Sequence, residues 1–234
     1  MVSAVEQRQA LVDAVRVALE RDCPGSRTLL LGSLAAGTAD DFSDIDVEWV
    51  VPDGEFAGCL ARMEGALGRV RPVAEVRYDP DFRHSDRRRL AFVRFARLPL
   101  FWRLDLSVRA ESIADDADYD RGNPAARASE EEWSRPASAL ANAVGAVKAL
   151  ARHRPDEARG LLDRGFARIG VPYEAGGEPD VQRGEGATAA VGEDWVADIG
   201  RLAQAAAEQE PRLRPLADEI VRLAEDHGPG FVRS

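Results

Sequence analysis

The chain has 234 residues, 45% hydrophobic and 31% charged, which suits one large core or two modest domains and is too apolar for general disorder. Its formal net charge of -10 argues against binding long nucleic acids, which need a basic face. No run approaches the roughly 20 apolar residues that span a bilayer, and the opening residues lack a basic region followed by an apolar core, so no membrane partner and a cytoplasmic location are expected.

Residues 3 to 21 have helical periodicity, with Ser3 and Glu6 spaced as a capping box and Leu11, Val12, Val15, Ala18 and Leu19 on one face. Cys23, Pro24 and Gly25 end this helix. An apolar run from Thr28 to Leu31 stops at Gly32-Ser33, a short helix is expected over Leu34 to Gly37, and Asp44 to Val51 follows; the two apolar runs are strand-like. Phe56, Leu60, Met63 and Leu67 recur at helical spacing, and three further strands are expected at 73 to 78, 90 to 96 and 101 to 108. The junction near 115 to 135 is rich in Asp, Glu, Gly and Pro. Beyond it Pro136 opens a helix carrying Leu140, Val144, Val147 and Leu150, and Pro155 opens another that stops near Gly170. Helical patterns then run from about Asp194 to Gln209 and from Pro211 to Asp226, the last closed by Gly228. Between them the glycines and prolines of 172 to 192 predict a flexible loop, either a lid or a disordered insertion.

The expected fold class is α/β (α+β): a domain with a mixed sheet at 1 to 115, followed by an all-α helical bundle at 128 to 234. Cys23 and Cys59 are too few for a disulfide framework and are expected to be inert, half-buried thiols. His84, His153 and His227 are scattered singly and enter no site.

The chemistry concentrates around Asp44-Ile45-Asp46-Val47. Side chains alternate along a strand, so Asp44 and Asp46 leave one face, about 7 Å apart, while Ile45 and Val47 enter the core. Two carboxylates so placed repel unless a cation neutralises them, and magnesium favours such a pair together with water and substrate phosphates. Gly32 permits close backbone approach, and the Ser33 hydroxyl is placed to meet a phosphate oxygen. A third acid, Asp105, lies on the strand from Phe101 to Val108, sharing a face with Arg103 and Ser107, opposite Trp102, Leu104, Leu106 and Val108. A charge within an apolar strand needs a partner, and both a metal ion and a salt bridge to Arg103 would supply one.

The stretch from Gly32-Ser33-Leu34-Ala35-Ala36-Gly37-Thr38 through Ser43-Asp44-Ile45-Asp46-Val47, with Asp105 on a later strand, resembles the polymerase-β-like nucleotidyltransferase superfamily. It is most similar to small bacterial members, including aminoglycoside and lincosamide nucleotidyltransferases and the minimal nucleotidyltransferases of toxin and antitoxin pairs. The resemblance covers residues 29 to 108. It implies two magnesium ions on Asp44 and Asp46, one of them shared with Asp105, a triphosphate held by Gly32 and Ser33, and in-line displacement at the α-phosphate that releases pyrophosphate. Asp105 would also receive the acceptor hydroxyl proton. A basic residue common in relatives is here Ala36, so the phosphate charge must be met elsewhere. Lys148, the one lysine in the chain, shares a helix face with Ala141, Gly145 and Arg152; the two small residues would leave room for a ligand and the two cations charge for it, which makes Lys148 the candidate for that task, against the alternative of a solvated helix edge.

Arg83, Arg87, Arg88 and Arg89 are expected in a solvated charged loop, and Glu130, Glu131 and Glu132 at a helix N-terminus. The expected activity is transfer of AMP from ATP to a hydroxyl of a small acceptor, an aminoglycoside-type antibiotic being the leading class. Adenylylation of a protein partner such as a toxin is the rival, and a non-catalytic nucleotide-binding module the third reading. RNA end-addition is disfavoured by the acidic charge and by the lack of a basic aromatic track.

Overall fold

The computed structural model describes residues 4–173 and 194–227. Ser3 of the expected capping box, Gly228, and all but the first two residues of the 172 to 192 loop lie outside them. The chain divides into two compact units, Met1–Trp133 and Ser134–Ser234.

The first unit is built on a mixed five-stranded sheet with the order β1-β2-β5-β4-β3. Its elements in chain order are α1 (Ala4–Asp22), β1 (Arg27–Leu30), α2 (Gly32–Ala35), β2 (Ile45–Val51), α3 (Phe56–Val70), β3 (Val73–Tyr78), β4 (Arg88–Phe95) and β5 (Leu104–Ala110). β2 and β5 are parallel neighbours; β1 with β2, β4 with β5 and β3 with β4 are antiparallel. Alternation along each strand sorts the side chains onto two faces. Ile45, Val47 and Trp49 of β2, Ala91 and Val93 of β4, and Leu104, Leu106 and Val108 of β5 are all buried. They share the core with Val12, Val15 and Leu19 of α1 and Cys59, Met63 and Leu67 of α3. β5 begins three residues later than expected, because Trp102 N–H bonds the Pro99 carbonyl in a turn before the strand starts.

Cys23 and Cys59 are joined in a disulfide, which corrects the expectation of inert thiols. The cause is packing: α1 and α3 lie side by side and bring the two Cα atoms within 6.1 Å. Closing a loop of this size restrains the unfolded chain by about 4 kcal/mol in the entropic account.

Residues 116–133 are tied to the first unit. Arg88 donates to the carbonyls of Ala117 and Tyr119, His84 N–H to Ala126, and Ala128 N–H to Pro80. Of the arginines expected in a solvated loop, Arg83, Arg88 and Arg89 are structural. Arg88 lies 3.8 Å over Phe82, Arg83 lies 4.7 Å over Tyr78, and Arg89 donates to the Phe82 and Ser85 carbonyls. The acidic run forms a turn in which Glu132 accepts from Ser129 N–H and bonds His84, rather than opening a helix; Ser134 caps the helix that follows.

In the second unit the described helices are α4 (Arg135–Ala151), α5 (Pro155–Arg168), α6 (Trp195–Gln209) and α7 (Arg214–His227). Pro136 and Pro155 sit in the first turns of α4 and α5, where a missing N–H costs nothing. α5 approaches α6 closely at Gly165, where a Cβ would stand 2.6 Å from Leu202.

Candidate active site

Asp46 and Asp105 are register partners on the parallel neighbours β2 and β5, so their side chains leave the same sheet face about 5 Å apart at the backbone. The same register continues through Phe92 on β4 to Arg77 on β3. One transverse row thus reads Asp46, Asp105, Phe92, Arg77. Glu48 and Ser107 form the next row. None of these residues is buried, in contrast to their neighbours on the opposite face.

Asp44 immediately precedes β2 and is delivered by a turn. Asp40 Oδ1 accepts from Phe42 N–H and from the Ser43 hydroxyl, and Asp40 N–H donates to Ser43 Oγ. Ile45 N–H then bonds the Arg103 carbonyl, starting the parallel ladder. Arg8, fully buried on α1, donates through Nη1 to the Ser43 carbonyl at 2.6 Å and lies 5.3 Å over Trp102. Burial lowers its pKa, opposed by the charges of Asp41, Asp40 and Asp44. Sequence reasoning missed Arg8. Its position among Leu11, Val12 and Val15 on the inward helix face was the available signal, because a charge placed there must serve something buried.

Gly32 opens α2 with φ +62, and a Cβ there would stand 2.1 Å from Asp46 Oδ2. Only glycine both adopts this backbone readily and leaves the carboxylate its place. The short helix spans Gly32 to Ala35, two residues before the expected Leu34 to Gly37. Leu31 N–H bonds the Asp46 carbonyl, and Ser33 is half-buried in the first turn. Gly32, Ser33 and Asp46 are therefore gathered in one place.

Arg103 completes the group. Its Nε and Nη2 donate to both oxygens of Asp105 at 2.6 and 2.7 Å, and Nη2 lies 3.9 Å from Asp44 Oδ2. The guanidinium stands 4.8 Å over the Phe92 ring. Burial works against its charge, but the bonds and attraction from Asp105, followed by Asp44 and Asp46, outweigh this and hold its pKa above the ordinary value. The salt bridge foreseen as one partner for Asp105 is thus present.

Among the described residues no group of three or more His, Cys, Asp or Glu side chains is arranged to hold a metal ion as it stands. The donor set nonetheless suits magnesium in kind, since Asp44, Asp46 and Asp105 offer only hard oxygen ligands and share one face. The cradle that Gly32 leaves for Asp46 fits the same purpose.

Lys148 is half-buried on α4, in the second unit. The small residues near it do not leave room for a ligand as expected: a Cβ on Gly145 would meet Leu161 of α5 at 3.2 Å, so the gap is filled by helix packing.

No family model matches the chain, and no curated protein matches it. Solved structures similar to it include Cid1, described by its RNA terminal uridylyl transferase activity, at 15% identity and a TM-score of 0.38 over 65% of this chain and 42% of that one. A cytoplasmic RNA terminal U-transferase is similar at 16% identity and a TM-score of 0.34, over 69% of this chain and 40% of that one. The GLD-2/RNP-8 complex is similar at 13% identity and a TM-score of 0.36, over 86% and 76%. The chain spans about two fifths of the length of the first two. Likeness this weak carries no weight for activity or substrate. No described helix is long and apolar enough to cross a membrane.

Proposed function

We propose that this protein is a nucleotidyltransferase that moves AMP from ATP to a hydroxyl of a small acceptor. The observation that carries the reading is the pairing of Asp46 with Asp105 on adjacent strands, with Gly32 shaped to admit the Asp46 carboxylate. Paired carboxylates on a rigid sheet are costly for folding and are explained by a cationic reaction centre. In this reading Asp44, Asp46 and Asp105 hold magnesium, which when bound supplies charge neutralisation at the reacting phosphate. Gly32 and Ser33 position the triphosphate. Asp105 orients the acceptor hydroxyl and takes its proton, the acceptor oxygen bonds the α-phosphorus, and pyrophosphate leaves. Arg8 and the Asp40–Ser43 turn fix Asp44 from below.

The acceptor class is the finer part of the proposal, with aminoglycoside-type antibiotics first. Adenylylation of a protein partner is the rival. One observation favours a second acceptor class. Phe92, with Arg103 at 4.8 Å and Arg77 at 5.4 Å over its ring, puts an aromatic and cationic group beside Asp105, and such a group suits a phosphate-bearing acceptor such as an RNA end.

The test is incubation with ATP and magnesium against aminoglycosides, lincosamides, an oligoribonucleotide and candidate protein partners, following pyrophosphate and product mass. A product heavier by one AMP, absent with Asp44→Asn/Asp46→Asn, supports the reading and names the acceptor. Metal-dependent ATP binding without turnover on any acceptor would leave a silent nucleotide-binding module instead.

A further inference from the structure

Arg103 reaches both Asp105 and Asp44. Both Asp105 oxygens are engaged by its fork, at 2.6 and 2.7 Å, and Asp44 Oδ2 is 3.9 Å from the same Nη2. A carboxylate held in this two-pronged way has one lone pair of each oxygen occupied and its charge offset by the guanidinium, so it is a poorer metal ligand until the fork opens. Asp105 is 18% exposed and Arg103 26%, so the pair is sheltered enough for its charges to matter and open enough for the guanidinium to move. The Phe92 ring adds a cation–π contact to the guanidinium. Asp46 and Asp105 are register partners and Asp44 immediately precedes β2, yet among the described residues the three do not form a metal-holding group as they stand.

We propose that Arg103 is a resident counter-ion of the carboxylate face: it holds Asp105 in the metal-free protein and must release it for a divalent ion to bind. The proposal rests on the metal-dependent reading of the site. It gives Arg103 two effects. The face is stable without metal, since three carboxylates are not left to repel one another, and divalent ions bind weakly until the exchange is made favourable by a nucleotide that brings further ligands.

Titration of the full chain with Mn2+ alone, counting free ion by electron paramagnetic resonance, separates the outcomes. Arg103→Gln removes the competitor and keeps a polar side chain, and is expected to bind Mn2+ roughly tenfold or more tightly than the unaltered protein. Arg103→Lys keeps the charge without the fork and should fall between them. Equal affinity in all three, or weaker binding in Arg103→Gln, overturns the proposal while leaving the metal site in place. Absence of Mn2+ binding in every form, with thermal melts showing them folded, overturns the metal-dependent reading and the proposal with it. Should Arg103→Gln fail to fold, the unaltered protein still decides. The Arg103 Nε–H resonance, assigned with Arg103→Lys, should shift and lose exchange protection at saturating Mg2+, and an unchanged resonance would refute the exchange.

Discussion

The two faces of the sheet are made from the same strands, residue by residue in alternation, and yet do opposite work. On the inner face Ile45, Val47, Leu104 and Leu106 are at most 1% exposed and pack beneath α1 and α3. On the outer face Asp44, Asp46, Arg103 and Asp105 stand one residue away from them along the chain, carrying charge where packing would be more stable. The inner face shows what these strands need in order to fold. The outer face shows what they carry in spite of folding, and the cost is met by Arg103, Arg8 and the Gly32 cradle rather than by an apolar partner.

Substitutions on the two faces should therefore separate activity from stability. The largest effect expected is from Asp46→Asn, which should lower AMP transfer by a factor on the order of 10³, the scale of losing a charged group at a reacting phosphate, while moving the urea midpoint little. A large loss of stability with activity retained would invert the comparison. Next is Leu106→Ala on the inner face, fully buried, which should cost about 3 kcal/mol in urea unfolding at unchanged slope and leave turnover of the folded fraction near normal. Gly32→Ala tests the seam between the faces: φ +62 and the 2.1 Å approach to Asp46 predict about 1 to 2 kcal/mol of destabilisation together with a fall in turnover, since the carboxylate must shift. If stability alone changes, the cradle serves only the backbone.

The smallest effect lies away from both faces. Glu132 accepts from Ser129 N–H and bonds His84, which hold its carboxyl at about 2 against an ordinary 4.5. A depressed carboxyl stabilises the folded form above the unfolded pKa, and that contribution is lost as pH falls from about 4.5 towards 2. The Glu132 side-chain resonance should titrate near the lower value in a carbon-detected NMR series, and a midpoint near 4.5 would show the turn to be open in solution.

Much of this was legible in the chain. The strand and helix elements followed from apolar periodicity, and the placement of Asp44 and Asp46 opposite Ile45 and Val47 followed from a period of two, because both are local properties. The Gly-Ser and the three acids could be singled out by residue type. Which strand lies beside which could not be read from local pattern, so the register of Asp46 with Asp105, and the row that adds Phe92 and Arg77, belongs to the sheet alone. The same holds for the disulfide, since 36 residues separate Cys23 from Cys59 and only the packing of α1 on α3 joins them. The arginines near Phe82 looked like solvated charge because a local run of charge does not show what packs over it, and Arg8 went unnoticed although it lies on the apolar face of its helix. Gly145 looked like space and is a helix contact. Sequence by itself determined which side chains point the same way along each strand and what chemistry they carry, because alternation is built into the backbone. Tertiary structure alone decided which of them meet and which charge stands between them, because that depends on long-range pairing.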